Sequence, residues 1–252
     1  MSRRPKYRVR PLIFLRSALF MALMVAYTIP YGILLVALRL LLPPFARYRV
    51  VQGWTVVAMW CIKYVLGIDY RVMGMENIPT QASVVLCKHQ SAWETIALQR
   101  IFPPQIFVLK KELLRLPFFG WGLGSVPMIG IDRSAGKSAL EQIVEQGRER
   151  LAMGFWVVVF PEGTRAAPGT TRRYKIGGAY LASHVGALVV PVAHNAGEYW
   201  RRNAFLKYPG RITVSIGPAI DATGLTPDEV NARVAAWIEA EMRKLSPHRY
   251  PE

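Results

Sequence analysis

Short apolar runs alternate with helical patterns over most of this chain, and this alternation limits the fold more than any other feature. The segments Lys137–Met153 and Thr226–Leu245 carry apolar stripes at helical spacing, and the second opens with the helix-start sequence Thr-Pro-Asp-Glu. Alternation of this kind is typical of α/β folds, so we expect a mostly parallel sheet covered by helices. The strand candidates are Tyr70–Met73, Ser83–Cys87, Ile106–Leu109, Pro127–Ile131, Trp156–Phe160, Leu188–Ala193 and Ile212–Ile216.

The segment Ser17–Leu38 carries no formal charge and is long enough to cross a bilayer, which takes about 20 apolar residues. Pro30 and Gly32 interrupt it and Arg39 follows at once, so a kinked span, a re-entrant hairpin and an interfacial pair of helices are all allowed. A second apolar stretch, Val50–Gly67, fits either an interfacial helix beside the first or a core helix. We therefore predict an N-terminal helical segment that is membrane-inserted or interfacial.

The chain is strongly basic: its 252 residues include 32 Lys and Arg against 16 Asp and Glu, a formal net charge of +16. This charge favours a polyanionic partner, either nucleic acid or an anionic membrane. The hydrophobic content of 52% and the apolar N-terminal segment favour the membrane and argue against nucleic acid. Basic residues ahead of the apolar segment predict a cytoplasmic N-terminus.

We therefore expect a protein of the cytoplasmic (inner) membrane. Residues 1–67 would form a basic arm with membrane-associated helices. Residues 68–252 would form the α/β domain, which would face the cytoplasm.

A polar motif follows the strand candidate Ser83–Cys87. His89 lies at the end of this strand, before a helix that we expect to start near Ser91. A neutral imidazole can take a proton from a hydroxyl when a carboxylate holds its other ring nitrogen, and Glu94 is the nearest carboxylate. Alternatively, Ser91 and Glu94 form only a capping box, in which the carboxylate satisfies a backbone N–H. The pattern leaves both interpretations open.

A second polar motif, Phe160–Arg165, follows another strand candidate, which breaks at Pro161. The loop suits an anionic group. Gly163 permits close backbone approach, Thr164 offers a hydroxyl, and Arg165 can hold two phosphate oxygens at once.

Other basic residues are also placed to contact an anionic group. Arg133 comes just past an apolar run, and parallel strands gather ligands at their carboxyl ends, so we expect it to share one site with His89 and Arg165. Lys175 precedes a predicted helix start, where backbone N–H groups also favour an anion. The remaining basic residues near these loops, which we expect mainly to hold the protein on acidic lipid, are Lys110, Lys111, Arg172 and Arg173.

Taken in order, these motifs resemble those of the glycerolipid acyltransferases. His89 followed after four residues by Glu94 resembles the family's His-x4-Asp motif, and Phe160–Arg165 resembles its Phe-Pro-Glu-Gly-Thr-Arg block. Gly130–Arg133 and Val190–Val192 resemble the second and fourth blocks. Position 94 departs from the family pattern. Glutamate is one methylene longer than the usual aspartate, so either the backbone is set back or the geometry of the pair differs.

The resemblance implies acyl transfer from acyl-CoA or acyl carrier protein to the sn-2 hydroxyl of lysophosphatidic acid (1-acyl-glycerol-3-phosphate), which gives phosphatidic acid. His89, oriented by Glu94, would be the base for this hydroxyl. Within the phosphate site, Glu162 would fix Arg165 or Lys175. The residues implied for the phosphate site are Arg133, Glu162, Gly163, Thr164, Arg165 and Lys175.

No cofactor, metal or covalent nucleophile is expected for this reaction, because a thioester donor is already activated. The two cysteines, Cys61 and Cys87, lie in apolar runs and are interpreted as core residues. We interpret His184 and His194 as structural, and the histidines and cysteines show no metal-ligand spacing.

Two alternatives remain for the function. Within the enzyme class, the acceptor could be another lyso-lipid, such as lyso-ornithine lipid or a lysophospholipid. In a different class, the chain could be a non-catalytic membrane protein that binds anionic lipid, with His89 and Glu94 serving only as a capped helix start.

Overall fold

The computed structural model describes residues 11–132 and 136–250 as an α/β unit preceded by two long helices. The helices are α1 (Pro11–Leu38), α2 (Pro44–Tyr64), α3 (Trp93–Ile101), α4 (Phe119–Gly124), α5 (Lys137–Ala152), α6 (Gly177–Val185) and α7 (Pro227–Leu245). The strands are β1 (Ile68–Met73), β2 (Val84–Cys87), β3 (Gln105–Lys110), β4 (Ile129–Ile131), β5 (Trp156–Val159), β6 (Leu188–His194), β7 (Gly210–Ile216) and β8 (Ile220–Asp221). Single 3₁₀ turns cover Met75–Asn77, Lys111–Arg115, Ala196–Glu198 and Pro247–Arg249.

The strands form one sheet in the order β1-β7-β6-β2-β5-β3-β4, with β8 also paired to β6. Neighbours from β6 to β4 are all parallel, which confirms the mostly parallel sheet. The exceptions are β7 and β8, which run antiparallel to β6. The chain passes from β6 to β7 and on to β8 without an α-helix, and parallel neighbours need such a crossover. The two-residue strand β8 is too short to show a period and was not predicted.

Every residue of β2 and β5 is buried, so both faces of the sheet centre are covered. Helix α6 approaches this centre so closely that a Cβ at Gly178 would lie 2.3 Å from a Cδ atom of Leu86. Helix α7 buries Val230, Val234 and Ile238, which recur at intervals of four residues on one face. This layered packing fixes the strand ends that carry the polar motifs.

The N-terminal segment forms a helical hairpin rather than an interrupted span. Pro30 lies inside α1, which continues as one helix to Leu38, so the segment Ser17–Leu38 holds no internal turn. Hydrogen bonds join α1 to α2: Tyr31 Oη donates to the Val50 carbonyl at 2.5 Å, and Trp54 Nε1 donates to Thr28 Oγ1 at 3.1 Å. Of the two alternatives for the second apolar stretch, the structure shows a helix packed beside the first.

The α/β unit contacts α1 along most of its length. Near the start of the helix, the Ser17 hydroxyl accepts the backbone N–H of Lys207 at 3.0 Å, and Phe20 packs edge-on against Trp200. Near its end, Gly32 lies against the backbone of Phe118. Helix α1 therefore lies along the body of the protein.

The remaining surface of α1 is apolar and exposed. The large side chains on this surface include Leu12, Leu15, Leu19, Leu23, Ile29 and Ile33. Helix α1 is long and apolar enough to cross a membrane, and most of its apolar residues are not buried in the protein. An exposed apolar surface of this size indicates association with a membrane.

Candidate active site

The polar motifs meet at one edge of the sheet. His89 follows β2, the Glu162–Arg165 loop follows β5, and Lys110 ends β3. These three strands are parallel neighbours, so their carboxyl ends point the same way. Arg133, which follows β4, lies outside the described residues.

The carboxylate of Glu94 contacts the imidazole of His89 directly. Its Oε1 lies 2.8 Å from His89 Nδ1, and the same oxygen accepts the backbone N–H groups of Gln90 at 2.9 Å and Ser91 at 2.8 Å. The two interpretations of this motif are therefore compatible, because one carboxylate both organises the loop before α3 and orients the imidazole. Helix α3 begins at Trp93, slightly later than expected.

Glu94 is held in its ionised form. Burial alone would raise the pKa of this carboxyl group, but His194, His89 and the Ser91 N–H bond together lower it below its ordinary value. An ionised Glu94 can only accept, so Nδ1 of His89 carries a proton, and in the neutral imidazole Nε2 then holds the lone pair. The His89 side chain is 14% exposed, which leaves this pair, hereafter the dyad, within reach of a substrate.

The Phe160–Arg165 block packs against His89. The Phe160 ring stacks on the imidazole with centroids 4.0 Å apart, and the backbone N–H of Ala166 donates to the His89 carbonyl at 2.7 Å. Arg165 is the residue just before that bond, so its backbone is fixed close to the dyad. The sequence had not predicted the stacking contact.

Gly163 makes the turn of this loop possible. Its φ of 66° lies in the left-handed region, and a Cβ there would lie 3.0 Å from Lys175 Cε. Lys175 is held against the loop by its own backbone, whose N–H donates to the Pro161 carbonyl at 2.7 Å. Gly163, Thr164 and Lys175 thus lie together, as expected.

A basic depression of about 620 Å³ opens beside this loop. It is lined by Lys110, Glu162, Gly163, Thr164, Arg172, Arg173 and Lys175. Lys111, which we had grouped with these cations, pairs with Asp132 at 2.5 Å and is not part of the lining. The depression is suited to an anionic group, and it is connected to the dyad through Glu162, whose Oε2 accepts the backbone N–H of His89 at 2.7 Å.

The prediction that Glu162 fixes Arg165 or Lys175 is wrong. The side chain turns inward, where it is buried, and its Oε1 lies 2.8 Å from Nζ of the equally buried Lys88. Burial raises the pKa of Glu162 above its ordinary value, although Lys88 acts in the opposite direction. Glu162 therefore supports the site from within and does not itself hold a phosphate.

Further residues lie behind the dyad that were not predicted from the sequence. Lys88 precedes His89 at the end of a fully buried strand, and a lysine at such a position was a usable signal. Glu239, its second partner, lies on α7, and no local pattern marks it. His194 is structural, as predicted: Nε2 donates to the Lys88 carbonyl at 2.8 Å and Nδ1 accepts from the Ala196 N–H at 3.2 Å.

Ser91 and the two cysteines have structural surroundings. Ser91 Oγ accepts the backbone N–H of Trp93 at 3.1 Å, in keeping with a role at the helix start. Cys61 and Cys87 are free and buried, and burial raises the pKa of the Cys87 thiol well above its ordinary value. Within the part of the chain that the structure describes, no group of three or more His, Cys, Asp or Glu side chains could hold a metal ion.

An α/β fold with a His–carboxylate dyad beside a basic depression fits an acyltransferase, and the chain belongs to the family described as Acyltransferase, whose model matches residues 69–195. All of the polar motifs lie inside that range. The chain is 47% identical over 237 residues to the 1-acyl-sn-glycerol-3-phosphate acyltransferase of Pseudomonas aeruginosa, and the match covers 92% of each chain.

More distant relatives carry the same name or share the fold. The mouse 1-acyl-sn-glycerol-3-phosphate acyltransferase alpha is 31% identical over 174 residues, which are 68% of this chain and 61% of the mouse protein. The crystal structure of the 1-acyl-sn-glycerophosphate acyltransferase PlsC from Thermotoga maritima superposes with a TM-score of 0.78 at 23% identity, over 92% of this chain and 95% of that one. This structural match confirms the fold.

Proposed function

We propose that this protein transfers a fatty acyl group from a thioester donor, acyl-CoA or acyl carrier protein, to the sn-2 hydroxyl of 1-acyl-glycerol-3-phosphate. The product is phosphatidic acid, a precursor in phospholipid biosynthesis. The observation that carries this proposal is the bond between His89 and Glu94 beside the basic depression. The relatives named as enzymes of this reaction support the choice of acceptor.

The dyad supplies a general base. His89 Nε2 removes the proton of the acceptor hydroxyl while that oxygen attacks the thioester carbonyl, and Glu94 stabilises the imidazolium that forms. When the C–S bond breaks, the leaving thiolate takes the proton from the imidazolium, and His89 returns to its neutral form. A covalent enzyme intermediate is not needed, because the thioester is already activated.

The phosphate of the acceptor would bind in the basic depression. Thr164 and Lys175 line it, and Arg165 follows in the same loop. Arg guanidinium and Lys ammonium groups form strong charge-assisted hydrogen bonds with phosphate oxygens. We also assign Arg133 to this phosphate, because Gly130–Arg133 resembles the second block of the family.

Helix α1 and its partner α2 would hold the enzyme on the membrane without crossing it. Contacts at Ser17 and Gly32 hold α1 along the α/β unit, so its apolar surface would enter the bilayer from one side. We propose that residues 1–67 are this membrane-associated part and that residues 68–252 face the cytoplasm. The basic arm before residue 11 would contact acidic headgroups on the cytoplasmic side.

The test is an acyl-transfer assay with purified protein in lipid vesicles. It offers 1-acyl-glycerol-3-phosphate, lyso-ornithine lipid and a lysophospholipid in parallel, each with acyl-CoA and with acyl carrier protein as donor. We expect the phosphate monoester to give the highest kcat/KM. A preference for another lyso-lipid would replace the acceptor, and no transfer to any of them would leave lipid binding as the function.

His89→Ala provides the matched test of mechanism. Loss of the base should lower kcat by about 10²- to 10⁴-fold. The Tm and vesicle binding should stay near those of the unmodified protein, because Glu94 keeps the backbone N–H donors of Gln90 and Ser91. Near-normal turnover by this variant would rule out the proposed chemistry.

A further inference from the structure

A buried lysine lies immediately behind the dyad. The side chain of Lys88 has no exposed surface, and its Nζ lies 2.8 Å from Glu162 Oε1 and 2.7 Å from Glu239 Oε1. Its backbone is also fixed, since its N–H donates to the Val192 carbonyl and its carbonyl accepts from His194 Nε2. Lys88 therefore joins β2 to the loop after β5 and to helix α7.

One arm of this cluster reaches His89. Glu162 contacts Lys88 through Oε1 and accepts the backbone N–H of His89 through Oε2 at 2.7 Å. The carboxylate can keep both contacts only while Lys88 holds it in this orientation. The position of the His89 backbone, and with it the direction of the imidazole, thus depends on Lys88.

The other arm reaches the basic loop. Tyr174 Oη donates to Glu239 Oε1 at 2.9 Å, and Thr171 Oγ1 donates to Glu239 Oε2 at 2.8 Å. Thr171 and Tyr174 flank Arg172 and Arg173 and precede Lys175, which line the basic depression. Helix α7, far away in sequence, thereby fixes the loop that carries most of the cations of the site.

The charges explain why the cluster is rigid. Burial lowers the pKa of Lys88, but Glu162 and Glu239 raise it above its ordinary value, so the lysine stays charged. Two carboxylates share this one cation. Without it they would face each other uncompensated in the interior, which is strongly unfavourable. Removal of Lys88 should therefore mainly release Glu162, since Glu239 keeps the hydroxyl groups of Tyr174 and Thr171 as donors.

We propose that Lys88 is a positioning residue for His89, and that Glu239 is a positioning residue for the basic loop. This proposal rests on the proposed function. Because the two arms are distinct, removal of Lys88 should act mainly on kcat, and truncation of Glu239 mainly on KM for the phosphorylated acceptor.

The variants are Lys88→Met, Glu239→Ala, Glu239→Gln and, as control, Lys244→Met, which removes an exposed lysine paired with Glu241 on the same helix. We expect Lys88→Met to lower kcat by about 10- to 100-fold with little change in KM. Glu239→Ala should raise KM for 1-acyl-glycerol-3-phosphate roughly tenfold. Gln can accept from Lys88 and Tyr174 and donate to Thr171 Oγ1, so Glu239→Gln should keep most of the acceptor affinity.

Hydrogen exchange gives a second readout that does not depend on activity. In Lys88→Met the amide of His89 loses its fixed acceptor, so peptides covering residues 84–92 should exchange faster than in the control. In Glu239→Ala the faster exchange should appear in residues 161–175. If the unmodified protein transfers no acyl group, the proposed function fails, and the exchange rates still decide whether Lys88 and Glu239 fix these two segments.

The role of Lys88 would be overturned if the kcat and KM of Lys88→Met, corrected for the folded fraction, matched those of Lys244→Met. Equal KM values for Glu239→Ala and Glu239→Gln would overturn the role of Glu239. If Lys88→Met does not fold, Lys88→Arg takes its place, because it keeps the positive charge but changes the contact with Glu162, and an unchanged kcat would overturn the role of Lys88. The two Glu239 variants decide the other arm, since a merely structural contact would lower Tm without separating their KM values.

Discussion

Glu94 Oε1 lies 2.8 Å from His89 Nδ1 and accepts two backbone N–H groups of the same loop. The other oxygen, Oε2, lies 3.9 Å from Nε2 of His194. The longer side chain of glutamate therefore reaches back across the start of α3, and the departure from the family's aspartate does not prevent the dyad from forming.

Glu94→Asp tests whether this length matters. Removal of one methylene withdraws the carboxylate from His89 by about 1.5 Å, the length of a C–C bond. We expect kcat to fall by about 10²-fold, because catalysis tolerates little displacement of a catalytic group. The measurement is steady-state kinetics with circular dichroism to confirm folding, and a kcat equal to that of the unmodified protein would show that the loop adjusts to either acid.

Arg165→Ala tests the phosphate contact. Loss of a charge-assisted bond should raise KM for 1-acyl-glycerol-3-phosphate by about tenfold or more and leave kcat nearly unchanged. The same assay with monoacylglycerol, which has no phosphate, should show no such change. Arg148→Ala, at an exposed position on α5, is the control. Equal effects on both acceptors would mean that Arg165 does not bind the phosphate.

Acidification should destabilise the protein through His194. Burial lowers the pKa of this histidine in the folded protein. In the unfolded chain the histidine is protonated below about pH 6.5. Below that value the unfolded state binds the extra proton first, so stability falls as the pH drops towards the folded pKa. His194→Gln should therefore show a smaller loss of Tm between about pH 7 and about pH 5.

His184→Gln, on an exposed histidine of α6, is the control for this pH series and should keep the slope of the unmodified protein. If the slope of His194→Gln also stayed unchanged, the buried histidine would not be the source of the acid sensitivity.

Leu19→Glu tests the membrane surface. This side chain is 53% exposed on the apolar face of α1, and burial of a leucine contributes about 1.5–3 kcal/mol. We expect binding to acidic vesicles, measured by co-sedimentation, to weaken by about tenfold or more. Ala236→Glu, at an exposed position on α7, should bind as the unmodified protein does. Comparable weakening in both variants would point to bulk charge instead of a defined surface.

The positions of His89 and of the Phe160–Arg165 block could be predicted from the sequence because both follow buried parallel strands. The apolar runs before His89 and Pro161 fixed two neighbouring parallel strands, and the carboxyl ends of such strands meet. What was missed depends on contacts that leave no local pattern. Glu162 turned inward because Lys88 is buried beside it, and the partner that completes the cluster, Glu239, lies 151 positions beyond Lys88.

The placement of α1 has a practical consequence. A protein anchored by a separate transmembrane helix can often be shortened to a water-soluble enzyme. Here the anchoring helix also packs against the α/β unit. Deleting residues 11–38 would uncover Trp200, Phe118 and the Lys207 backbone, which α1 covers. A shortened chain would therefore lose one exposed apolar surface and gain another. Purification must keep the helix and cover it with detergent or lipid.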